Sequence, residues 1–158
     1  MPEAQTPCHC GNKLMFEQCC APFIKQTTKP DNAEQLMRSR FTAFKLRQHQ
    51  YIIDTQRLDN QPPATVDSFD LSIEWLGLYV LAHHTGGNKS QQQVEFVAFF
   101  KGGSSNRVEQ MHELSSFQLK QGQWLYISGQ HLPDYKVPRN NLCFCLSGKK
   151  YKKCHALN

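Results

Sequence analysis

The sequence predicts an α+β fold in which N-terminal helices pack on a curved, antiparallel four-stranded sheet shaped as a cone, with a small cysteine-bearing module at each end. Three observations predict it: apolar residues recur at helical intervals between residues 37 and 53, the period changes to two from residue 73 onward, and every cysteine lies before residue 21 or after residue 142. A chain of 158 residues, 39% hydrophobic and 20% charged, buries one modest core and carries small appendages. The expected division is an N-terminal module over residues 1–28, a central domain over 29–137 and a C-terminal module over 138–158.

The first helix is expected over residues 32–49. Asp31 and Glu34 have the spacing of a capping box with Asp31 as N-cap, and Met37, Phe41 and Phe44 follow at helical intervals. Tyr51, Ile52 and Ile53 extend the apolar content into a second short helix reaching toward Arg57, and residues 58–66, with Pro62 and Pro63, read as a loop. Four strands are expected over residues 73–84, 94–101, 108–119 and 124–128, all rich in β-branched and aromatic residues. Gly86-Gly87, Gly102-Gly103 and Gly122 break them, so consecutive strands pair antiparallel through short turns.

The seven cysteines are Cys8, Cys10, Cys19, Cys20, Cys143, Cys145 and Cys154. Residues 8–20, C-H-C-G-N-K-L-M-F-E-Q-C-C, align with residues 143–155, C-F-C-L-S-G-K-K-Y-K-K-C-H, and both read C-x-C-x8-C-[CH]. His155 takes the place of the last cysteine, which makes two sets of four ligand-type residues. A tight C-x-C turn presents two sulfurs to one side and a following turn delivers the adjacent pair, the arrangement that tetrahedral zinc requires. The aromatic three residues before each closing pair, Phe16 and Tyr151, is expected to pack over its module. Disulfides fit poorly, because the count is odd and adjacent cysteines bridge only with strain. Each set is complete, whereas a catalytic zinc keeps a position open, so two structural zinc ions are expected. With no cysteine in the central domain, chelation is expected to disorder the ends alone.

The motifs resemble the SEC-C zinc motif, found at the C-terminus of the bacterial preprotein translocase ATPase, where it serves as a docking tail. The whole chain resembles the YchJ-like family of small bacterial proteins. That resemblance is carried by the two cysteine motifs, by A-E-Q-L-M-R-S-R-F-T-A-F over residues 33–44 and by H-E-L-S-S-F over residues 112–117. It implies a SEC-C motif at each end of a central domain similar to nuclear transport factor 2 and ketosteroid isomerase; it implies architecture more than activity. The C-terminal copy departs from the usual pattern at Leu146, where glycine is common, and at His155; neither change removes a ligand.

Relatives of that fold work with a carboxylate and a Tyr or His inside the cone, which makes Asp54, Glu95, His112, Glu113 and Tyr126 candidates. His112 and Glu113 are adjacent on a strand, so only one of them faces the pocket. One titratable group does not define a mechanism, and catalytic residues stay unassigned. Arg38 and Arg40 read as a solvated or ion-paired face, and His83-His84 as strand and turn surface.

The formal net charge of +5 is uneven. Residues 136–158 hold six basic residues (Lys136, Arg139, Lys149, Lys150, Lys152, Lys153) and no acidic one, so the rest of the chain carries one net negative charge. The basic C-terminal motif is a footprint for an acidic protein partner or for RNA phosphates such as a ribosomal surface, with too little aromatic interleaving for sequence-specific nucleic-acid recognition. Phe96 and Phe100 on the open sheet face leave room for a homodimer. No apolar run spans a membrane and residues 1–10 are polar, so a cytoplasmic protein is expected. The function these features favour is a zinc-binding accessory or protein-interaction module; the alternative is an enzyme or small-ligand binder using the cone.

Overall fold

The computed structural model of the chain describes residues 5–58 and 61–157. Asp59 and Asn60 of the predicted loop, and residues 1–4 and 158 of the predicted end modules, lie outside them. The helices are α1 (Ala21–Ile24), α2 (Ala33–Lys45) and α3 (His49–Asp54), and the strands are β1 (Glu74–His84), β2 (Gln91–Lys101), β3 (Glu109–Lys120) and β4 (Gln123–His131). Single 3-10 turns at Phe16–Gln18 and Tyr151–Lys153 sit inside the two cysteine motifs.

Asn32, and not Asp31, caps α2. Its side-chain oxygen accepts from the Gln35 N–H at 2.9 Å, and the Gln35 side chain reaches back to the Asp31 N–H at 2.8 Å. Asn is as good an N-cap as Asp, and Gln replaces Glu three residues on, so a box-like pair of bonds forms one register later than expected, its return bond landing on the residue before the cap. The first helix, expected over residues 32–49, ends at Lys45, and the expected second short helix follows as α3. Arg47 adopts a left-handed φ of 58°, the Gln48 N–H donates to the Ala43 carbonyl at 2.8 Å and the Arg47 N–H to that of Phe44 at 3.2 Å. This is a Schellman close with arginine in the position glycine usually takes.

The strands form one antiparallel sheet in the order β1-β2-β3-β4. Register shifts at Trp75/Gly77 and Val80/Ala82 in β1, and at Ser116/Phe117 between β3 and β4, bend and twist the strands so that the sheet curves around α2. After α3 the chain adds a parallel bridge at the outer edge of β4, with the Tyr126 N–H donating to the Thr55 carbonyl at 2.9 Å and the Arg57 N–H to that of Tyr126 at 2.8 Å.

Side-chain alternation along the strands divides the interior into two cores. On the helix side Leu78, Val94, Phe96, Phe117 and Trp124 meet Leu36, Met37, Phe41 and Ile52, and the same cluster includes Cys8, Cys10, Phe16 and Cys20. On the opposite face Val97 and Phe99 meet Val137, Cys143 and Phe144. The N-terminal module thus packs into the helix-side core. Phe96 and Phe100 also lie on the helix side, where Phe100 packs on Trp75 at a centroid distance of 5.3 Å, while the other face is covered by the C-terminal module. Among the described residues no helix is long and apolar enough to cross a membrane.

Candidate metal centres

The two cysteine motifs fold the same way, bond for bond, 135 residues apart. The Cys8 N–H donates to the Leu14 carbonyl at 2.9 Å as that of Cys143 does to Lys149 at 2.8 Å, and the Phe16 N–H to Thr6 at 2.8 Å as that of Tyr151 does to Asn141 at 2.7 Å. Isolated bridges Pro7–Met15 and Leu142–Lys150 close each hairpin. The 3-10 turn then swings the last two ligands back over the first two, the Cys19 N–H donating to Phe16 at 3.1 Å and that of Cys154 to Tyr151 at 3.0 Å. After C-x-C the chain needs a left-handed residue: Gly11 supplies it with φ 79°, Leu146 with φ 63°. Leucine therefore keeps the turn that glycine would form, at the expense of some backbone strain.

Each hairpin gathers one four-donor set: Cys8, Cys10, Cys19 and Cys20, and Cys143, Cys145, Cys154 and His155, with all donor atoms of a set within 4.8 Å of one another. The Cys10–Cys19, Cys19–Cys20 and Cys145–Cys154 sulfurs are 3.5, 3.9 and 3.6 Å apart, and the His155 Nδ1 lies 3.2 and 3.5 Å from the sulfurs of Cys143 and Cys154. A tetrahedral ion with bonds of about 2.3 Å to sulfur has edges of about 3.8 Å, so these sets have the size of a zinc site. They are far longer than a disulfide of about 2.05 Å, and all seven cysteines are free. Four thiols this close compete for protons: hydrogen bonds from neighbouring thiols, Cys10 foremost, hold Cys8 and Cys19 below the usual thiol range, while Cys19 pushes Cys10 above it. A divalent cation relieves that conflict by holding all four as thiolates. Burial, with Lys101 second, holds His155 below the usual imidazole range and leaves its ring neutral for coordination.

The modules dock on opposite sides of β1. The Arg38 guanidinium donates to the Cys10 carbonyl at 2.8 Å, and the Cys8 sulfur lies 3.9 Å from the Thr42 hydroxyl. On the far face Phe144 stacks on Phe99 with centroids 3.9 Å apart and planes 7° from parallel, and the Tyr79 hydroxyl donates to the Leu142 carbonyl. Gly77 permits that approach, since a Cβ there would stand 2.7 Å from the Phe144 carbonyl carbon and 2.8 Å from its ring. The modules also approach each other: Leu146 Cδ2 is 3.8 Å from where a Cβ on Gly11 would be. Lys149, Lys150 and Lys153 are exposed and Lys152 is half-buried, and none of the four forms an ion pair among the described residues.

The cone encloses a cavity of about 650 Å³. Of the candidates for it, Glu113, Tyr126 and His112 border it, and a 3.0 Å hydrogen bond from the Tyr126 hydroxyl joins the first two. His112 turns its ring the other way, with Nε2 2.7 Å from Glu95 and Nδ1 2.6 Å from the Pro133 carbonyl, so that pair lies on the outer face. Asp54 is exposed at the end of α3, bound by Gln26 and Gln50. His83 meets Gln92 at 2.8 Å, and His84 is exposed. Arg38 is ion-paired with Glu34 at 3.1 Å, as one of the two readings had it, whereas Arg40 is neither solvated nor ion-paired among the described residues. It is 6% exposed and donates to the Ile52 carbonyl and the Thr55 hydroxyl, both at 2.9 Å, and to Gln56 at 3.1 Å. Burial draws its pKa down to about 10. The helical period carries the signal for this, because Leu36, Arg40 and Phe44 share one stripe.

The profile of the YchJ middle NTF2-like domain matches residues 32–129, and that of the SEC-C motif matches residues 139–157. A UPF0225 protein of Serratia proteamaculans is 39% identical over 158 residues, covering 98% of both chains, and one of Pectobacterium carotovorum is 36% identical over 151 residues, covering 93% of this chain and 96% of that one. The solution structure of a SEC-C motif containing protein from Rhodopseudomonas palustris superposes with a TM-score of 0.67 at 30% identity, over 80% of this chain and 99% of that one. The crystal structure of a SEC-C motif containing protein from Psychrobacter arcticus superposes with a TM-score of 0.59 at 29% identity, over 96% and 94%.

Proposed function

The chain belongs to the YchJ family, with a middle NTF2-like domain followed by a SEC-C motif, and from that premise we propose that it is an accessory docking protein built around two structural zinc ions. The observation that carries the reading is the pair of four-donor sets with tetrahedral dimensions and no spare position. Cys8, Cys10, Cys19 and Cys20 hold one ion, and Cys143, Cys145, Cys154 and His155 the other. Three or four sulfur donors with or without one imidazole suit zinc better than the hard, oxygen-seeking cations. The ions fix shape and leave no site for a water, so they supply scaffolding rather than chemistry.

Docking falls to the C-terminal module. Three thiolates around Zn²⁺ leave one negative charge, which Lys149, Lys150, Lys152 and Lys153 outweigh. Unpaired lysines on a rigid module meet an acidic protein surface, an interaction screened over about 10 Å at 0.1 M salt. Elemental analysis of protein purified without chelator tests the metal reading and should return two zinc ions per chain; one ion, or iron, would refute it. For docking, Cys154→Ser breaks the presenting fold and keeps every lysine, whereas changing the four lysines to glutamine removes charge and spares the ligands. Recovery of acidic partners should fail for both variants and weaken with salt. Unchanged recovery by both would end the docking reading, and RNA recovered in place of protein would redirect it.

A further inference from the structure

Inside the cone, away from both metal sets, lies a polar site that neither metal binding nor docking uses. The cavity of about 650 Å³ falls within the range of about 300–1,000 Å³ typical of small-molecule sites. Its walls are mainly aromatic, with Phe41, Phe44, Trp75, Phe96, Phe100 and Phe117 from α2 and the first three strands. Exposed His131 and Asp134 also line it and mark where it reaches solvent.

One acidic group is set deep in this wall. Glu113 is 6% exposed, and its Oε1 accepts from the Ser115 hydroxyl at 2.7 Å and the Tyr126 hydroxyl at 3.0 Å. Both donors converge on one oxygen, so Oε2 has no hydrogen-bond partner among the described residues. The backbone is shaped around this arrangement. A Cβ on Gly129 would collide with the Glu113 carboxylate and stand 2.7 Å from the Tyr126 hydroxyl, so β4 keeps a bare backbone where the pair sits. The Arg40 guanidinium lies 4.9 Å over the Tyr126 ring, tied by its own hydrogen bonds to the end of α3 and the residues after it, with no carboxylate in ion-pair range among the described residues. It fixes the ring from below while leaving the carboxylate free of a direct ion pair. An acceptor oriented by two donors and open to a mainly apolar chamber is arranged to meet a donor that the protein does not supply.

We propose that the cone binds a small, flat, largely apolar molecule bearing one hydrogen-bond donor, a hydroxyl or an amine, which is received by Glu113 Oε2. Aromatic walls accept a planar ring system edge-on or offset, and the acceptor deep in the wall sets its direction. Arg40 positions Tyr126, and Tyr126 with Ser115 positions the carboxylate. The site is separate from the metal reading and stands whether or not the C-terminal module docks.

The test uses full-length, metal-loaded protein and two probes of nearly equal shape. 2-Naphthol carries the hydroxyl, and 2-methoxynaphthalene replaces it with an ether that cannot donate. Calorimetry should show one 2-naphthol per chain, at least tenfold tighter than 2-methoxynaphthalene, with Trp75 emission altered and amide shift changes confined to the cavity. In Glu113→Gln the amide oxygen keeps the Ser115 and Tyr126 bonds and an NH₂ group replaces Oε2. This variant should lose the tenfold preference and keep the weaker, shape-driven affinity for the ether. Equal affinity of the wild-type protein for the two probes would overturn the proposal, as would shift changes outside the cavity or a preference that survives Glu113→Gln. Should Glu113→Gln not fold, the comparison of probes on the wild-type protein decides alone.

Discussion

Gly77 is where the docking of the C-terminal module on the sheet can be measured. Replacing it by alanine puts a methyl group 2.7 Å from the Phe144 carbonyl carbon and nearer still to its oxygen, where ordinary contact is above 3.4 Å. Neither neighbour is a flexible side-chain end: one is backbone, the other a ring stacked at 3.9 Å on Phe99. The module must shift outward. Complete exposure of Phe144, which is 1% exposed, would forfeit roughly 4–6 kcal/mol from about 150–250 Å² of apolar surface. Partial displacement and overpacking of this kind typically cost about 1–3 kcal/mol, so the expected loss is about 2–3 kcal/mol. For a chain of this size that is a fall in melting temperature of roughly 4–12 °C. The control is Gly87→Ala, whose Cβ meets nothing within 4 Å and whose backbone is not left-handed. Urea unfolding followed by tryptophan emission measures both, and the metal content of Gly77→Ala should stay at two ions because no ligand is touched. If Gly77→Ala lies within about 0.5 kcal/mol of the wild type, the small margin seen for neutral surface changes, Phe144 does not sit on β1 as described.

Metal removal should do more than loosen the ends, because Cys8, Cys10 and Cys20 belong to the helix-side core. Chelator, or Cys20→Ser, should lower the unfolding midpoint of the whole sheet, whereas Cys154→Ser should lower it less; a central domain melting unchanged after chelation would contradict the shared core. Tyr51 gives a pH test. Burial pushes its phenol up to about 12 from an ordinary value of 10, so the native state holds this proton more tightly than the unfolded chain does. Its contribution is complete below pH 10 and lost as pH rises through 12, roughly 3 kcal/mol in all. Tyr51→Phe should unfold at a more alkaline pH than the wild type in a pH titration at fixed urea, and identical alkaline transitions would refute the assignment.

The end modules and the meander were legible because their signals are local. A fixed offset of 135 residues aligns every ligand, and glycine pairs mark the first two turns between strands. The capping register was missed by one residue because Asp31-Asn32 and Glu34-Gln35 offer two boxes of almost equal quality. The break at Arg47 carried no glycine or proline to announce it. Arg40 was misread by residue type, although its place on the apolar stripe was visible; Gly77 and Gly129 lie in strand interiors, the usual mark of a close approach. What no local pattern contains is which side of the sheet each module takes. That is set by contacts such as Arg38 with Cys10 and Phe144 with Phe99, between residues far apart in the chain.

Placement of the two modules on β1 also bears on self-association. β1 is an outer strand of 11 residues, E-W-L-G-L-Y-V-L-A-H-H, apolar through its middle and without a proline, the profile that recruits further strands into aggregates. Lys45 donates to its Trp75 carbonyl at 2.6 Å, Gly11 lies beside its Leu78 carbonyl, and Phe144 covers it at Gly77. The hairpins that gather the metal ligands thereby act as gatekeepers of a sticky border. A rise in turbidity under chelation would report that the hairpins had loosened from this border.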